Sequence, residues 1–208
     1  MQRLYPINPN ENNMNNKFQN KYRIPSTRLK NWDYGNNGTY FITICTQNRE
    51  HFFGEIISVA DENKMELNEI GKLAERFWAE IPNHFPFVEL ENYVIMPNHI
   101  HGILIINKTN IVDNIVETLQ CNVSTVNAKE TINKKELMAE ISPKSGTIST
   151  IIRSYKSVLT KNAHFIHADF EWQTRFHDHI IRDSESFERI QNYIETNPEL
   201  WKEDKFYN

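Results

Sequence analysis

Cysteine, glycine and long apolar runs are all scarce in this chain of 208 residues. The two cysteines, Cys45 and Cys121, are far apart and form no CxxC pair, which argues against a disulfide framework and suits a reducing compartment. No apolar run is long enough to span a bilayer, and no cationic segment followed by an apolar one begins the chain. We therefore expect a cytoplasmic protein without a membrane partner or a signal peptide.

Positive charge is also in deficit, since 23 Lys and Arg residues face 27 Asp and Glu residues, a net charge of −4. The cations are nevertheless concentrated: residues 1–35 carry a net charge of +4 and residues 144–182 a net charge of +3. Local basic segments of this kind can contact phosphates even in an acidic protein, although ordinary solvated faces explain them equally well. Charge alone therefore decides nothing about nucleic acid.

The composition changes along the chain and suggests a domain organisation. Residues 1–20 contain seven Asn and little apolar periodicity, so we predict a disordered arm over residues 1–21. Residues 22–208 would then form a single domain, and a polar, weakly periodic stretch at about 107–141 would be an insertion. A composition that is 39% hydrophobic is sufficient for a packed core in that domain.

The periodicity of the apolar residues predicts a mixed α+β fold. Strands are expected at 40–46, 87–95 and 99–106, and helices at 64–81, 148–163 and 184–196. Pro82 and Pro198 would end two of the helices, and the Pro97-Asn98 turn would join the second and third strands. With one further strand within 171–181, this order predicts a ferredoxin-like sandwich, an antiparallel sheet with helices on one face.

The most informative local pattern is His99-Ile-His101 at the start of an apolar strand. Side chains at positions i and i+2 of a strand project from the same face, so the two imidazoles lie side by side. Such a pair can bind one divalent ion, because histidine is a common ligand of divalent metals. Two hydrogen-bonded sheet histidines without a metal remain the alternative.

Several motifs in order resemble the REP-associated tyrosine transposases, which belong to the single-tyrosine group of HUH transposases. The resemblance covers about residues 22–106 and 142–202 and is strongest at Met96-Pro-Asn-His-Ile-His-Gly-Ile-Leu104 and at Tyr193-Ile-Glu-Thr-Asn-Pro198 with Trp201. The supporting stretches are 40–46, 142–147 with 154–157, Trp172-Gln173 and 176–183.

The resemblance implies a metal-dependent enzyme that nicks and joins single-stranded or hairpin DNA in transposition. Tyr193 would attack the scissile phosphate and form a 5′-phosphotyrosine intermediate, and Mg²⁺ or Mn²⁺ would be bound by His99, His101 and Asn197. The protein would act as a monomer or a homodimer, and the sequence leaves these two open. Residues that would contact DNA are Arg153, Lys156, Arg182, Trp172 and His179.

Each of these residues also has a structural interpretation. Tyr193 could belong to the apolar helix face with Ile190, and Asn197 could be a C-cap. Tyr155 is a rival nucleophile, and His177 with His179 repeats the spacing of the metal pair. Trp172 could pack in the core instead of stacking on a base.

Two other functions also remain open. One is a nucleic-acid-binding regulator that keeps the fold without catalysis, which the acidic net charge favours. The other is a metal-dependent phosphoesterase that uses bound water and has no tyrosine chemistry.

Overall fold

The computed structural model describes residues 17–18, 21–22, 28–29, 31–60, 62–108 and 145–207. The chain divides into two units, residues 1–32 and residues 33–208. In the first unit, β1 (Lys17–Phe18) pairs antiparallel with β2 (Lys21–Tyr22). The rest of the predicted arm, and residues 109–141 of the predicted insertion, lie outside the described residues.

The second unit is built on a four-stranded antiparallel sheet. In chain order its elements are β3 (Gly38–Cys45), β4 (Gly54–Val59), β5 (Glu62–Leu67), α1 (Glu69–Ala79), α2 (Ile81–His84), β6 (Val88–Met96), β7 (His99–Ile106), α3 (Ile148–Ala163), β8 (His177–Ile181) and α4 (Ser184–Thr196). The strands of the sheet lie in the order β6-β7-β3-β8. With α1 and α3 as the connections, this is the predicted ferredoxin-like arrangement.

The three long helices begin at side-chain caps, which explains where they start. The Asn68 side chain accepts a hydrogen bond from the Gly71 amide, Thr147 accepts one from Thr150, and Asp183 accepts one from Ser186. Among the described helices, none has the length and hydropathy that a bilayer crossing requires.

The predicted helix over 64–81 is wrong at its first residues. Residues 62–67 form β5, which pairs antiparallel with β4 in a separate two-stranded sheet that the sequence analysis missed. Met65 and Leu67 alternate with exposed residues in this hairpin, so their apparent helical spacing came from a two-residue period. The helix starts only after Asn68, and Pro82 lies in the first turn of α2, where a missing amide costs little.

The two faces of the sheet have different coverings. Tyr155 on α3 donates a hydrogen bond to the Ala74 carbonyl of α1, and Trp78 of α1 packs against Gly102. These two helices lie on one face of the sheet, as predicted. The third long helix, α4, lies on the opposite face, where Ile190 and Ile194 pack on a cluster of sheet residues. That cluster consists of Phe41, Ile103 and Ile181.

Gly102 is required by the close approach of Trp78 to β7. A Cβ atom at position 102 would lie 2.4 Å from Cζ2 of Trp78, whose side chain is fully buried and has no space to move. We therefore expect Gly102→Ala to lower the free energy of unfolding by about 1–3 kcal/mol, measured by urea denaturation.

Gly38→Ala is the matched control, because a Cβ atom there would meet only ordinary contacts at 3.5 Å. An equal loss of stability in both variants would show that the replacement of any glycine in a strand has this effect, and that the Trp78 contact does not cause it.

Candidate active site and metal centre

The register of the sheet brings the two histidines of the HxH motif into the protein interior. His99 and His101 lie opposite Cys45 and Thr43 of β3, on the face that α4 covers. Both imidazoles are fully buried, and their ring centroids are 4.5 Å apart. Each buried imidazole carries polar nitrogens that need hydrogen-bond partners or a bound ion.

The Nδ1 atom of each ring is held by a neighbouring side chain. The Asn98 amide nitrogen donates to the carbonyls of Arg49 and Phe206, so its oxygen faces Nδ1 of His99 at 2.8 Å as an acceptor. His99 therefore carries its proton on Nδ1 and leaves the lone pair of Nε2 directed into the site. Nδ1 of His101 is 2.9 Å from Oγ1 of Thr43.

Tyr193 and Asn197 reach the same place from α4. The Tyr193 hydroxyl oxygen is 3.1 Å from Nε2 of His101, and the hydroxyl donates to Oδ2 of Asp204 at 2.9 Å. Asn197, at the C-cap of α4, donates from Nδ2 to the same Asp204 oxygen at 2.7 Å. The i, i+4 spacing on the helix thus directs both side chains to one point.

Asp204 is the main site residue that the sequence analysis missed. One ligand atom each from Asp204, His99 and His101 lies within 4.8 Å of the others. Asp204 follows α4 in an irregular segment without periodicity, and no motif marked it. In the sequence, it is marked only as an acidic residue three positions after Trp201.

The segment 201–207 covers the histidine pair. Phe206 packs on both rings, with centroids 4.5 Å from that of His99 and 5.6 Å from that of His101. Trp201 lies 5.9 Å from the His99 ring, and Arg49 donates to the Lys205 carbonyl. Nε2 of His99 is buried, so a large ligand reaches it only when part of its surroundings moves.

Burial keeps both imidazoles neutral at neutral pH. Desolvation lowers the pKa of His99 from 6.5 to about 3, and the Asp204 carboxylate opposes this effect. Burial also lowers the pKa of His101 well below its usual range, with a further contribution from the adjacent His99. A neutral imidazole is the form that binds a metal ion, because only this form has a free lone pair.

The donor atoms fit a divalent cation. Nε2 of His99 and Oδ1 of Asn197 are buried and form no hydrogen bond of good geometry, although Asn197 is close enough to raise the pKa of His99. Such atoms cost free energy unless a further partner satisfies them, and a cation would do so. With Asp204, they offer the nitrogen and oxygen ligands that Mn²⁺ accepts, and Mg²⁺ with more difficulty.

The other predicted residues lie outside this cluster. His177 and His179 are half-buried on β8, where His177 lowers the pKa of His101. Arg182 is exposed just after β8. Arg153 and Lys156 lie on α3, behind the sheet.

The aromatic candidates have structural partners. The half-buried Trp172 packs against Phe53 and Phe170 and donates to the Lys156 carbonyl. Tyr155, the rival nucleophile, is buried on the opposite face of the sheet, and burial raises its pKa well above the usual range.

Comparison with known proteins links the chain to one relative. No protein-family profile matches it. A Haemophilus influenzae protein (strain ATCC 51907 / DSM 11121 / KW20 / Rd) described as "Uncharacterized protein" is 37% identical over 188 residues, which cover 88% of this chain and 92% of that protein. The chain belongs to the family of this Haemophilus protein.

Among solved structures, this chain resembles a REP-associated tyrosine transposase that was solved bound to a REP hairpin. The identity is 18% and the TM-score 0.49, over 84% of this chain and 73% of that chain.

The buried neutral histidines make the fold sensitive to acid. Between pH 6.5 and about 3, His99 takes up a proton when the chain unfolds but not while it is folded. The free energy of unfolding should therefore fall as the pH falls below 6.5, by up to about 1.4 kcal/mol per pH unit for this residue. Urea denaturation of the wild type and of His99→Gln in EDTA, from about pH 7 to about pH 5, measures the difference.

The wild type should lose stability more steeply than His99→Gln over this range. Parallel pH profiles for the two proteins would contradict the account of a buried neutral imidazole at position 99.

Proposed function

We propose that the protein is a metal-dependent enzyme that nicks and joins single-stranded DNA, with Tyr193 as the nucleophile. The proposal rests on the position of the Tyr193 hydroxyl, which contacts both Nε2 of His101 and the Asp204 carboxylate. His101 lies on a strand that is 92 residues from Tyr193 in the sequence, whereas Asp204 follows Tyr193 by 11 residues. Their convergence in a buried site, together with the motifs shared with tyrosine transposases, supports this chemistry over a purely structural role.

The reaction is a displacement at phosphorus. The Tyr193 oxygen attacks the scissile phosphate, a phosphotyrosine bond to the 5′ side forms, and the bond to the 3′ oxygen breaks. Phenol has a pKa of ~10 in water, so its attack at neutral pH needs a group that takes the proton. Asp204 accepts a hydrogen bond from the hydroxyl and would take this proton, while the leaving 3′ oxygen gains one from solvent.

The reverse step joins the strands. A 3′ hydroxyl attacks the phosphotyrosine and loses its proton to solvent, the bond from phosphorus to the Tyr193 oxygen breaks, and Asp204 returns a proton to that oxygen. The energy of the phosphodiester bond is conserved through the covalent intermediate, so joining needs no other source of energy.

The remaining residues would orient the site and hold the cation. His99 and His101, with Asn197 or Asp204, would bind it, and the cation would polarise the phosphate and stabilise its charge. The single lone pair of Nε2 of His101 can face either the Tyr193 hydroxyl or a cation. Asp204 would keep the hydroxyl in position in the second case, because its contact with Tyr193 does not depend on His101.

Replacement of the nucleophile tests the proposal. Purified protein is mixed with labelled single-stranded hairpin DNA from the flanks of its own gene and with Mn²⁺ or Mg²⁺, and is run on a denaturing gel. The wild type should give a slow, protease-sensitive band. In Tyr193→Phe this band should fall by at least about 10⁴-fold, because the variant lacks the oxygen that attacks the phosphate.

Tyr155→Phe is the matched control, because Tyr155 is a buried tyrosine whose hydroxyl donates to a backbone carbonyl away from the histidine pair. This variant should form the covalent band like the wild type. A band that persists in Tyr193→Phe, or cleavage without any covalent band, would overturn the proposal, and the second result would favour hydrolysis by bound water.

A further inference from the structure

A basic groove runs along α3, on the side of the sheet away from Tyr193. It has a volume of about 680 Å³ and is lined by three cations, Arg153, Lys156 and Lys161. The hydroxyls of Ser149, Ser157, Thr160 and Thr174 also line it, as do Ile152 and Phe176. None of these residues is acidic, although acids outnumber bases in the chain.

In the described ranges, the three cations of this α3 groove, Arg153, Lys156 and Lys161, have no carboxylate partner. The ammonium of Lys156 donates to the Gln173 carbonyl at 2.6 Å and lies over the Trp172 ring. Lys156 is half-buried, and burial lowers its pKa to about 8, so its charge is held at a cost in free energy. An anion in the groove would offset that cost, and hydroxyl groups beside the cations are common partners of phosphate oxygens.

The groove ends next to the candidate active site. Phe176 lines it, and the following residue, His177, begins β8, where it pairs with Thr43, the β3 residue that also lies opposite His101. Because β8 is an edge strand, only its width separates the groove from the site face. Half-buried Phe176 adds an aromatic face on which a base can stack, a combination with cations that is typical of single-strand binding.

We propose that the α3 groove binds the phosphate backbone of single-stranded DNA, whose neighbouring nucleotides cross the edge at β8 to reach Tyr193. This inference rests on the proposed function for the identity of the strand as DNA. It assigns binding to one face of the sheet and the phosphate chemistry to the other, with the first residues of β8 between them.

The salt dependence of binding tests the groove. Fluorescence anisotropy with a labelled oligothymidylate longer than ~16 nucleotides measures the affinity of the full chain over a series of salt concentrations. Arg153→Ala/Lys161→Ala removes two exposed cations that hold no other side chain. This double variant should reduce the magnitude of the slope of log K against log salt by about 1.4, since each lost contact to a single strand contributes about 0.7.

Two further variants make the result specific. Lys72→Ala/Arg76→Ala removes the same charge from the exposed surface of α1 and should leave the slope unchanged. Phe176→Leu should weaken binding about tenfold without changing the slope, because stacking releases no counterions. A wild-type slope in the groove variant, or an equal loss in the α1 variant, would overturn the proposal.

The outcomes also separate the groove from the chemistry. A groove-dependent slope without any covalent band would contradict the proposed function and support the groove. A Tyr193-dependent band, together with a wild-type slope in the groove variant, would support the proposed function and contradict the groove. Groove-dependent binding that is about tenfold tighter for an oligouridylate of the same length would overturn the assignment to DNA.

Discussion

The antiparallel register of β3 and β7 is the constraint on which the candidate site depends. It sets Thr43 opposite His101 and Cys45 opposite His99, so that both imidazoles and the threonine hydroxyl share one face. A slip of one residue would turn the histidines toward α1 and α3 and bring Ile100 into the site. The register is secured by the core, because the residues of β3 and β7 that face the two crossover helices, Tyr40, Ile42, Ile100 and Leu104, are fully buried.

Burial of the histidine pair has two opposing consequences. Desolvation keeps the rings neutral and so preserves the lone pairs that a cation needs, but the same burial, to which Phe206 contributes, removes Nε2 of His99 from solvent. The covering is held at two places, since Asn98 of the turn before β7 and Arg49 after β3 donate to carbonyls of the segment 201–207. Asn98 also orients His99, which couples the orientation of this imidazole to the position of the covering segment.

The sequence was informative where the signal is local. Periodicity predicted β6, β7, α3 and α4, and the HxH spacing placed two histidines on one face, because these patterns depend on neighbours along one element. Asp204, Thr43 and Phe206 could not be predicted, since their importance comes from their proximity to His99 or His101, which lie far away in the chain. The hairpin of β4 and β5 was missed because its alternation ran into the apolar face of α1 and was interpreted as one helix.

The central claim is that His99 and His101 together hold one divalent cation beside Tyr193. Pulsed EPR of Mn²⁺ bound to protein with ¹⁵N-labelled histidine measures this directly, because the electron spin couples to nitrogens in the first coordination sphere. The account predicts couplings from both imidazoles, the loss of one in His99→Gln, and no change in a variant of the exposed His51, His51→Gln. Bound Mn²⁺ without histidine nitrogen coupling, or a spectrum unchanged in His99→Gln, would contradict it.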